Sequence, residues 1–125
     1  MRLLLDTHIL LWSMSGDSRL GPMAEIIIDP GNDIFVSTVS LMEIAVKIRI
    51  GKLRLDLARL MGEMDQQGFD LLPLAAHHVL ELANLPVHAD HKDPFDHQLI
   101  AQAIAEGMTF LSQDRHAGRY PVKLL

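Results

Sequence analysis

Four acidic side chains, from four separate parts of the chain, are of the type that hydrolytic enzymes use to hold metal ions: Asp6, Glu43, Asp96 and Asp114. Two carboxylates about 4 Å apart repel each other by roughly 4 kcal/mol at an effective dielectric near 20. A divalent cation removes that repulsion, and hard cations such as Mg²⁺ and Mn²⁺ prefer oxygen ligands. A water made more acidic by such a cation can attack a phosphodiester. If the four acids converge, they favour a metal site and phosphodiester hydrolysis.

The elements predicted around these acids form a sheet. Short apolar segments at residues 2–5, 34–36, 69–74 and 108–111 predict strands, with 122–125 as a last edge strand. Helical patterns alternate with them, so we expect an α/β fold with a central, mainly parallel sheet of four to five strands and helices on both faces. In such a fold the ligand site lies beyond the carboxyl ends of the strands, where the strand order reverses.

The helical patterns then place the acids. Their bounds follow from apolar periodicity and from glycine or proline stops: residues 9–16, 22–28, 40–51, 56–68, 78–86 and 95–107. Asp6 ends the first strand, and Asp114 follows the fourth. Glu43 and Asp96 lie in the first turn of the third and sixth helices. If these helix starts face the same edge of the sheet, all four carboxylates share one pocket.

Each acid also has a purely structural explanation. Ser40 and Glu43 fit a capping box, in which the glutamate reaches back to the serine backbone N–H. Asp93 fits an N-cap followed by Pro94, and the helix dipole then favours Asp96 in the first turn. The remaining two acids would simply terminate strands. Capping does not explain why all four fall at one predicted edge.

The composition sets further limits. The chain has 125 residues, 49% of them apolar, and we expect one domain spanning residues 1–125. The absence of cysteine excludes a disulfide framework, a thiolate zinc site, an iron–sulfur cluster and a cysteine nucleophile. A formal net charge of −5 argues against DNA binding through an overall basic surface. The sequence shows no secretory signal or transmembrane pattern, so we expect a cytoplasmic protein without a membrane partner.

Four motifs contain the candidate acids and follow one another along the chain: LLDTH at residues 4–8, STVSLMEIAVK at 37–47, DPFDHQLIAQA at 93–103 and FLSQD at 110–114. In order and spacing they resemble the successive motifs of PIN-domain ribonucleases. The most similar branch is the VapC-like toxins of bacterial type II toxin–antitoxin modules. This resemblance implies a PIN-like fold and a metal-dependent endoribonuclease with Mg²⁺ or Mn²⁺ as cofactor. It also implies an RNA substrate, a small antitoxin protein as partner and a homodimer.

The resemblance also assigns roles to residues. It implies that four acids at the family's acidic positions are the catalytic residues and metal ligands: Asp6, Glu43, Asp96 and Asp114. Asp93 is a further candidate ligand.

Two hydroxyl residues, Thr7 and Ser112, stand beside acids and are expected to orient a water, a ligand carboxylate or the substrate. Either could instead satisfy backbone groups at a strand end. Two positions depart from the family pattern. Met42 stands where a tryptophan is expected before the helix glutamate, and His97 stands where an arginine is expected after DPFD. The second departure affects how RNA or a partner is contacted, but neither removes an acid.

Basic residues indicate where RNA phosphates would be held. Two groups are candidates: Lys47, Arg49, Lys52, Arg54 and Arg59 in the first, and Arg115 and Arg119 in the second. A solvated helix face explains the first group equally well. Arg115 is the preferred candidate for substrate contact, because it adjoins Asp114.

Other interpretations stay open. A non-catalytic PIN-like module that binds RNA or protein would keep the fold, although the intact acids speak against it. A phosphorylated receiver domain also gathers acids at strand ends, but no strand in the second half of this chain supplies the required lysine. A zinc site at His88, His91 and His97, with Asp90 and Asp93, is disfavoured because the spacing matches no closed structural zinc site.

Overall fold

Five strands form one sheet in the computed structural model, which describes residues 1–125. The strands are β1 (Arg2–Leu5), β2 (Asp33–Ser37), β3 (Asp70–Leu72), β4 (Thr109–Leu111) and β5 (Lys123–Leu124). Their order across the sheet is β3-β2-β1-β4-β5, and every neighbouring pair is parallel. The predicted parallel sheet is confirmed, including the short edge strand β5.

Six α-helices connect the strands: α1 (Thr7–Ser15), α2 (Met23–Ile28), α3 (Thr38–Arg49), α4 (Leu57–Gln66), α5 (Ala76–Ala83) and α6 (Pro94–Glu106). The sequence patterns do not predict two short 3₁₀ helices, at Ser18–Leu20 and Arg115–Arg119, because such brief turns carry no apolar periodicity. None of the helices is long and apolar enough to cross a membrane.

The sheet separates two apolar cores, because successive residues of a strand point to opposite faces. On β1, Leu3 and Leu5 pack into the core under α1 to α4, whereas Leu4 packs into the core on the other face. The second core lies under α6. Helix α5 packs against α6. All three leucines are fully buried, and β1 is therefore a continuous apolar run rather than an alternating one.

The start of α3 differs from the prediction, and the capping box at Ser40 is wrong. The N-cap is Ser37, whose hydroxyl accepts a hydrogen bond from the Val39 N–H at 2.9 Å. Ser40 lies inside the first turn instead. Glu43 consequently lies in the second turn of α3, too far along the helix to cap its start, and its carboxylate is available for other contacts.

The strand order reverses between β1 and β4. The chain moves outward from β1 through β2 to β3 and then returns to β4, on the other side of β1. Ligands of open parallel sheets bind beyond the carboxyl ends of the strands at such a reversal. The Asp6 N–H donates to the Leu111 carbonyl at 3.0 Å, so the segments that leave β1 and β4 start side by side. Two of the candidate acids, Asp6 and Asp114, lie on these two segments.

Candidate metal centre

Asp6 lies between β1 and α1. Its backbone is extended at the N-cap position of α1, yet its side chain caps no helix N–H. Oδ2 accepts a hydrogen bond from Ser112 Oγ at 2.7 Å, whereas Oδ1 is buried and has no hydrogen-bond partner. Burial is the main cause that raises the pKa of the Asp6 carboxyl, which is 5% exposed.

Glu43 lies on the inner side of α3 and is 2% exposed. Its Oε2 accepts a hydrogen bond from Lys47 Nζ, one helical turn later, at 2.8 Å. Its Oε1 is buried without a partner. The hydrogen bond to Glu43 raises the pKa of the Lys47 ammonium, so Lys47 stays charged and offsets part of the negative charge of the site.

Asp96 lies in the first turn of α6, but Asp93 caps this helix. Asp93 Oδ1 accepts hydrogen bonds from the N–H groups of Phe95 at 2.9 Å and Asp96 at 3.4 Å. The Asp96 carboxylate is therefore free of the helix end, and its Oδ2 lies 3.3 Å from His91 Nε2. Burial raises the pKa of Asp96 to about 8, and four neighbouring carboxylates add to the rise: Asp6, Asp93, Glu43 and Asp114.

Ser112 and Asp114 bring the segment after β4 into the site. Ser112 Oγ donates to Asp6 Oδ2 and accepts from the Asp114 N–H at 3.0 Å. One hydroxyl therefore joins the segments that leave β1 and β4. Asp114 Oδ1 accepts from the His116 N–H at 2.9 Å and caps the 3₁₀ helix Arg115–Arg119.

The four predicted acids interact electrostatically, because, in addition to burial, Glu43 raises the pKa of Asp6, and Asp6, Glu43 and Asp114 each raise the pKa of Asp96. Part of this cluster has the donor spacing of a metal site. Asp6 and Asp114 line a cavity of about 320 Å³, which His8 also lines. Ligand atoms of His91, Asp96 and Asp114 lie within 4.8 Å of one another. The buried carboxylate oxygens without partners are Asp6 Oδ1 and Glu43 Oε1, and a divalent cation would supply the partner that these costly buried atoms lack.

Comparison with known proteins identifies the family. The sequence pattern of the PIN domain matches residues 3–123. The chain belongs to the PIN domain family. Among the curated proteins, none matches the chain.

Solved structures share this PIN fold. VapBC2 from Rickettsia felis, bound to a DNA fragment from the promoter, contains a chain with 19% identity and a TM-score of 0.72, covering 100% of this chain and 98% of that chain. DNA-bound VapBC from Salmonella typhimurium gives 14% identity and a TM-score of 0.71, covering 100% and 97%. VapBC-5 from Mycobacterium tuberculosis, a member of the VapBC family of toxin-antitoxin systems, gives 17% identity and a TM-score of 0.59, covering 94% and 89%. At these identities the likeness establishes the fold.

The two hydroxyl residues beside the acids have different places in this PIN domain. Ser112 contacts Asp6 directly, as expected for a residue that orients a carboxylate. Thr7 is 1% exposed, and its hydroxyl donates to Ser40 Oγ at 2.9 Å. Thr7 therefore ties α1 to α3 and offers no surface to a substrate, which corrects the contact expected for it.

The basic residues of the PIN domain are not equally available. Arg119 forms two hydrogen bonds with the Asp90 carboxylate, each 2.6 Å long. Lys47, from the first basic group, is bound to Glu43 within the site. Arg115 is exposed at the start of the 3₁₀ helix that Asp114 caps.

Sequence reasoning missed His91 as a member of the acidic cluster. The imidazoles of His88, His91 and His97 do not converge as a zinc site would require, since His97 Nε2 contacts the His91 backbone carbonyl at 2.7 Å. His91 instead faces Asp96, five residues later along the chain. The available signal was its place in the loop that leads into DPFD, because a loop entering that helix must approach the same edge of the sheet.

Proposed function

We propose that this PIN domain is a metal-dependent endoribonuclease that hydrolyses RNA phosphodiester bonds. The observation that carries the proposal is a pair of buried carboxylate oxygens, Asp6 Oδ1 and Glu43 Oε1, without hydrogen-bond partners. Buried charges are found paired or bound to metals, since isolated burial is costly. Family membership and the position of the acids at the strand-order reversal also support a catalytic site.

The charge balance supports a divalent cation. The four carboxylates that raise the pKa of Asp96 are close enough to repel it, and Lys47 is the cation that bonds within their cluster. We expect Mg²⁺ or Mn²⁺, because carboxylate oxygens dominate the donor set. Four residues would hold the cation: Asp6, Glu43, Asp96 and Asp114. Asp93 uses Oδ1 to cap α6, which leaves Oδ2 as a further ligand atom.

The residues around the cation position have distinct tasks. When bound, the cation supplies Lewis acidity and makes a water more acidic near neutral pH. Ser112 holds Asp6 Oδ2, which leaves Oδ1 for the cation. Lys47 holds Glu43 Oε2 in the same way. Arg115, exposed next to Asp114, binds a phosphate of the RNA at the rim of the site.

We further propose that the protein is the toxin of a toxin–antitoxin module whose partner is a small antitoxin protein. The support is the resemblance of the motifs to VapC-like toxins and the shared fold with chains of VapBC complexes. The proposal includes a homodimer, a cytoplasmic location and one domain over residues 1–125.

An RNA cleavage assay on the purified chain, freed of any bound partner, tests the catalytic part. We expect cleavage with Mg²⁺ or Mn²⁺, none with a chelator, and none from Asp6→Asn or Glu43→Gln. Asp70→Asn, a change of an exposed acid on β3, is the matched control and should cleave normally. Undiminished cleavage by Asp6→Asn, after removal of host nucleases, would refute the assignment. Metal binding without cleavage of any RNA would favour the non-catalytic module.

A further inference from the structure

His91 is a buried histidine whose ring faces the acidic cluster. It lies in the loop before α6 and is 6% exposed. Its Nε2 is 3.3 Å from Asp96 Oδ2, and a carboxylate oxygen of Asp114 lies within 4.8 Å of both groups. A nitrogen atom therefore stands among oxygens at a site that the family pattern makes purely acidic.

The His91 ring is held in this orientation from several sides. Nδ1 lies 2.8 Å from the hydroxyl of Tyr120, a residue that is itself 5% exposed. The ring of His116 stacks on the His91 ring, with centroids 4.9 Å apart and planes inclined by 8°. His97 Nε2 fixes the backbone through the His91 carbonyl. Histidines that bind metals are oriented in this way, with the second ring nitrogen on an outer hydrogen-bond partner.

We propose that His91 Nε2 is a ligand of the divalent cation, together with Asp96 and Asp114. The inference deepens the proposed function and rests on it. Neighbouring ligands of an octahedral ion with bonds of about 2.1 Å are roughly 3 Å apart. The observed 3.3 Å between His91 and Asp96 matches this spacing with little adjustment. The Tyr120 hydroxyl can accept as well as donate, so the His91 proton can lie on Nδ1, which leaves the lone pair of Nε2 for the cation.

A second histidine cluster shows why the hydrogen-bond partners of the two imidazole nitrogens matter. His77, His78 and Glu106 also place three ligand atoms within 4.8 Å of one another. However, His78 Nδ1 accepts a hydrogen bond from the Ala75 N–H at 3.0 Å, so its Nε2 carries the proton and donates to Glu106 at 3.0 Å. In that cluster a backbone N–H fixes the proton of His78 on Nε2. The Nδ1 of His91 faces the Tyr120 hydroxyl instead, which can accept the ring proton, so a cation can replace the present contact between Nε2 and Asp96.

A nitrogen ligand changes which cation the site prefers. First-row transition metals accept imidazole nitrogen, Mn²⁺ more weakly than the later ones, whereas Mg²⁺ is held almost only by oxygen. We therefore expect tighter binding of Mn²⁺ than of Mg²⁺ by the wild-type chain. Replacing His91 should lower Mn²⁺ affinity by roughly 10- to 100-fold, the range found when even an outer partner of a ligand is removed. The Mg²⁺ affinity should change less, so the preference for Mn²⁺ over Mg²⁺ should be smaller in the His91 variant than in the wild type.

Pulsed electron paramagnetic resonance on the Mn²⁺-loaded chain tests the ligand directly. We expect nitrogen hyperfine coupling in the wild type and its loss in His91→Gln. Two matched controls should keep the coupling: His8→Gln, which changes the histidine that lines the cavity with Asp6, and His77→Gln, which changes the distant cluster. Calorimetry with Mn²⁺ and Mg²⁺ gives the affinities, and thermal melts confirm that each variant folds.

The outcomes separate the two proposals. Mn²⁺ binding without nitrogen coupling in the wild type would overturn the role of His91 and leave the carboxylate site standing. Nitrogen coupling that survives in His91→Gln but disappears in His8→Gln would identify His8 as the nitrogen ligand, and this result would also overturn the inference. Absence of Mn²⁺ binding would refute the metal site itself, and the role of His91 with it. If His91→Gln does not fold, His91→Asn takes its place, and nitrogen coupling that survives in that variant would overturn the inference.

Discussion

Replacing Asp96 by Asn should stabilise the metal-free protein at pH 8 and leave its stability nearly unchanged at pH 4. The pKa of Asp96 rises from 3.8 to about 8 on folding, so the folded chain holds a proton that the unfolded chain releases. Stability therefore falls as the pH rises from about 4 to about 8, because the unfolded state binds fewer protons over that range. Asparagine does not ionise in this range, so the stability of the variant should not fall in this way.

The size of the effect follows from the pKa difference and the exposure of the side chain. Each pKa unit is worth about 1.4 kcal/mol, so the difference corresponds to roughly 5–6 kcal/mol without screening. The Asp96 side chain is 23% exposed, and solvent screening reduces the effect to about 2–3 kcal/mol. For a chain of this length the expected rise in Tm at pH 8 is roughly 8–12 °C.

Thermal melts followed by circular dichroism, in chelator at pH 4, 6 and 8, measure this directly. Asp70→Asn controls for the change in net charge, because Asp70 is exposed on β3, and its Tm should differ from the wild type by little at every pH. Adding Mn²⁺ should raise the Tm of the wild type and raise that of Asp96→Asn much less. An Asp96→Asn variant that is no more stable than the wild type at pH 8 would show that these carboxylates do not crowd one another.

Three further substitutions probe the neighbours of the acids. Ser112→Ala removes the hydroxyl that holds Asp6, and isothermal calorimetry should show Mn²⁺ affinity lowered by roughly tenfold or more. Asp93→Ala removes the α6 cap, and urea unfolding of the metal-free chain should show a loss of about 1 kcal/mol. Lys47→Met leaves Glu43 buried without its cation, so urea unfolding of the metal-free chain should show a free energy of unfolding lower by about 1–3 kcal/mol. Adding Mn²⁺ should increase the free energy of unfolding of this variant by more than that of the wild type.

The bounds of most elements could be predicted because the chain carries strong local stop signals. Gly16 and Gly107 adopt left-handed φ values of 67° and 65° and end α1 and α6 where the sequence indicates. Asp93 and Pro94 likewise mark the start of α6. Such signals act within a few residues and need no knowledge of the tertiary structure.

The start of α3 could not be predicted, because Ser37 and Ser40 are both competent N-caps. Tertiary contacts decide between them. The Ser40 hydroxyl is taken by Thr7 of α1, and the Ser37 hydroxyl also donates to the Gln102 side chain of α6. Residues that are distant in sequence therefore decide which serine caps α3, and the sequence around the two serines does not reveal the outcome.

The acidic cluster was predictable for a topological reason, whereas the place of His91 in it was not. Asp6 and Asp114 follow strands that end at the same edge of a parallel sheet, so the pattern of strands alone brings them near each other. His91 enters through the path of an irregular loop, and Lys47 through its position one turn after Glu43. The position of Lys47 could have been predicted from its i, i+4 spacing to Glu43. The position of His91 depends on packing against Tyr120.

The pairing of β1 with β4 also sets when the site can exist during synthesis of the chain. Leu3 lies beside Thr109 in the sheet, and the Ser112 hydroxyl reaches Asp6 across 106 residues of sequence. Contacts this distant along a chain form late and slow the rate of folding, because a long loop must close first. A ribosome-bound nascent chain that has not yet released β4 lacks Asp114 and the contact that holds Asp6, although β1, β2 and β3 can already pair. An incomplete chain therefore carries most of the sheet but an acidic cluster that lacks Asp114 and the hydrogen bond to Asp6.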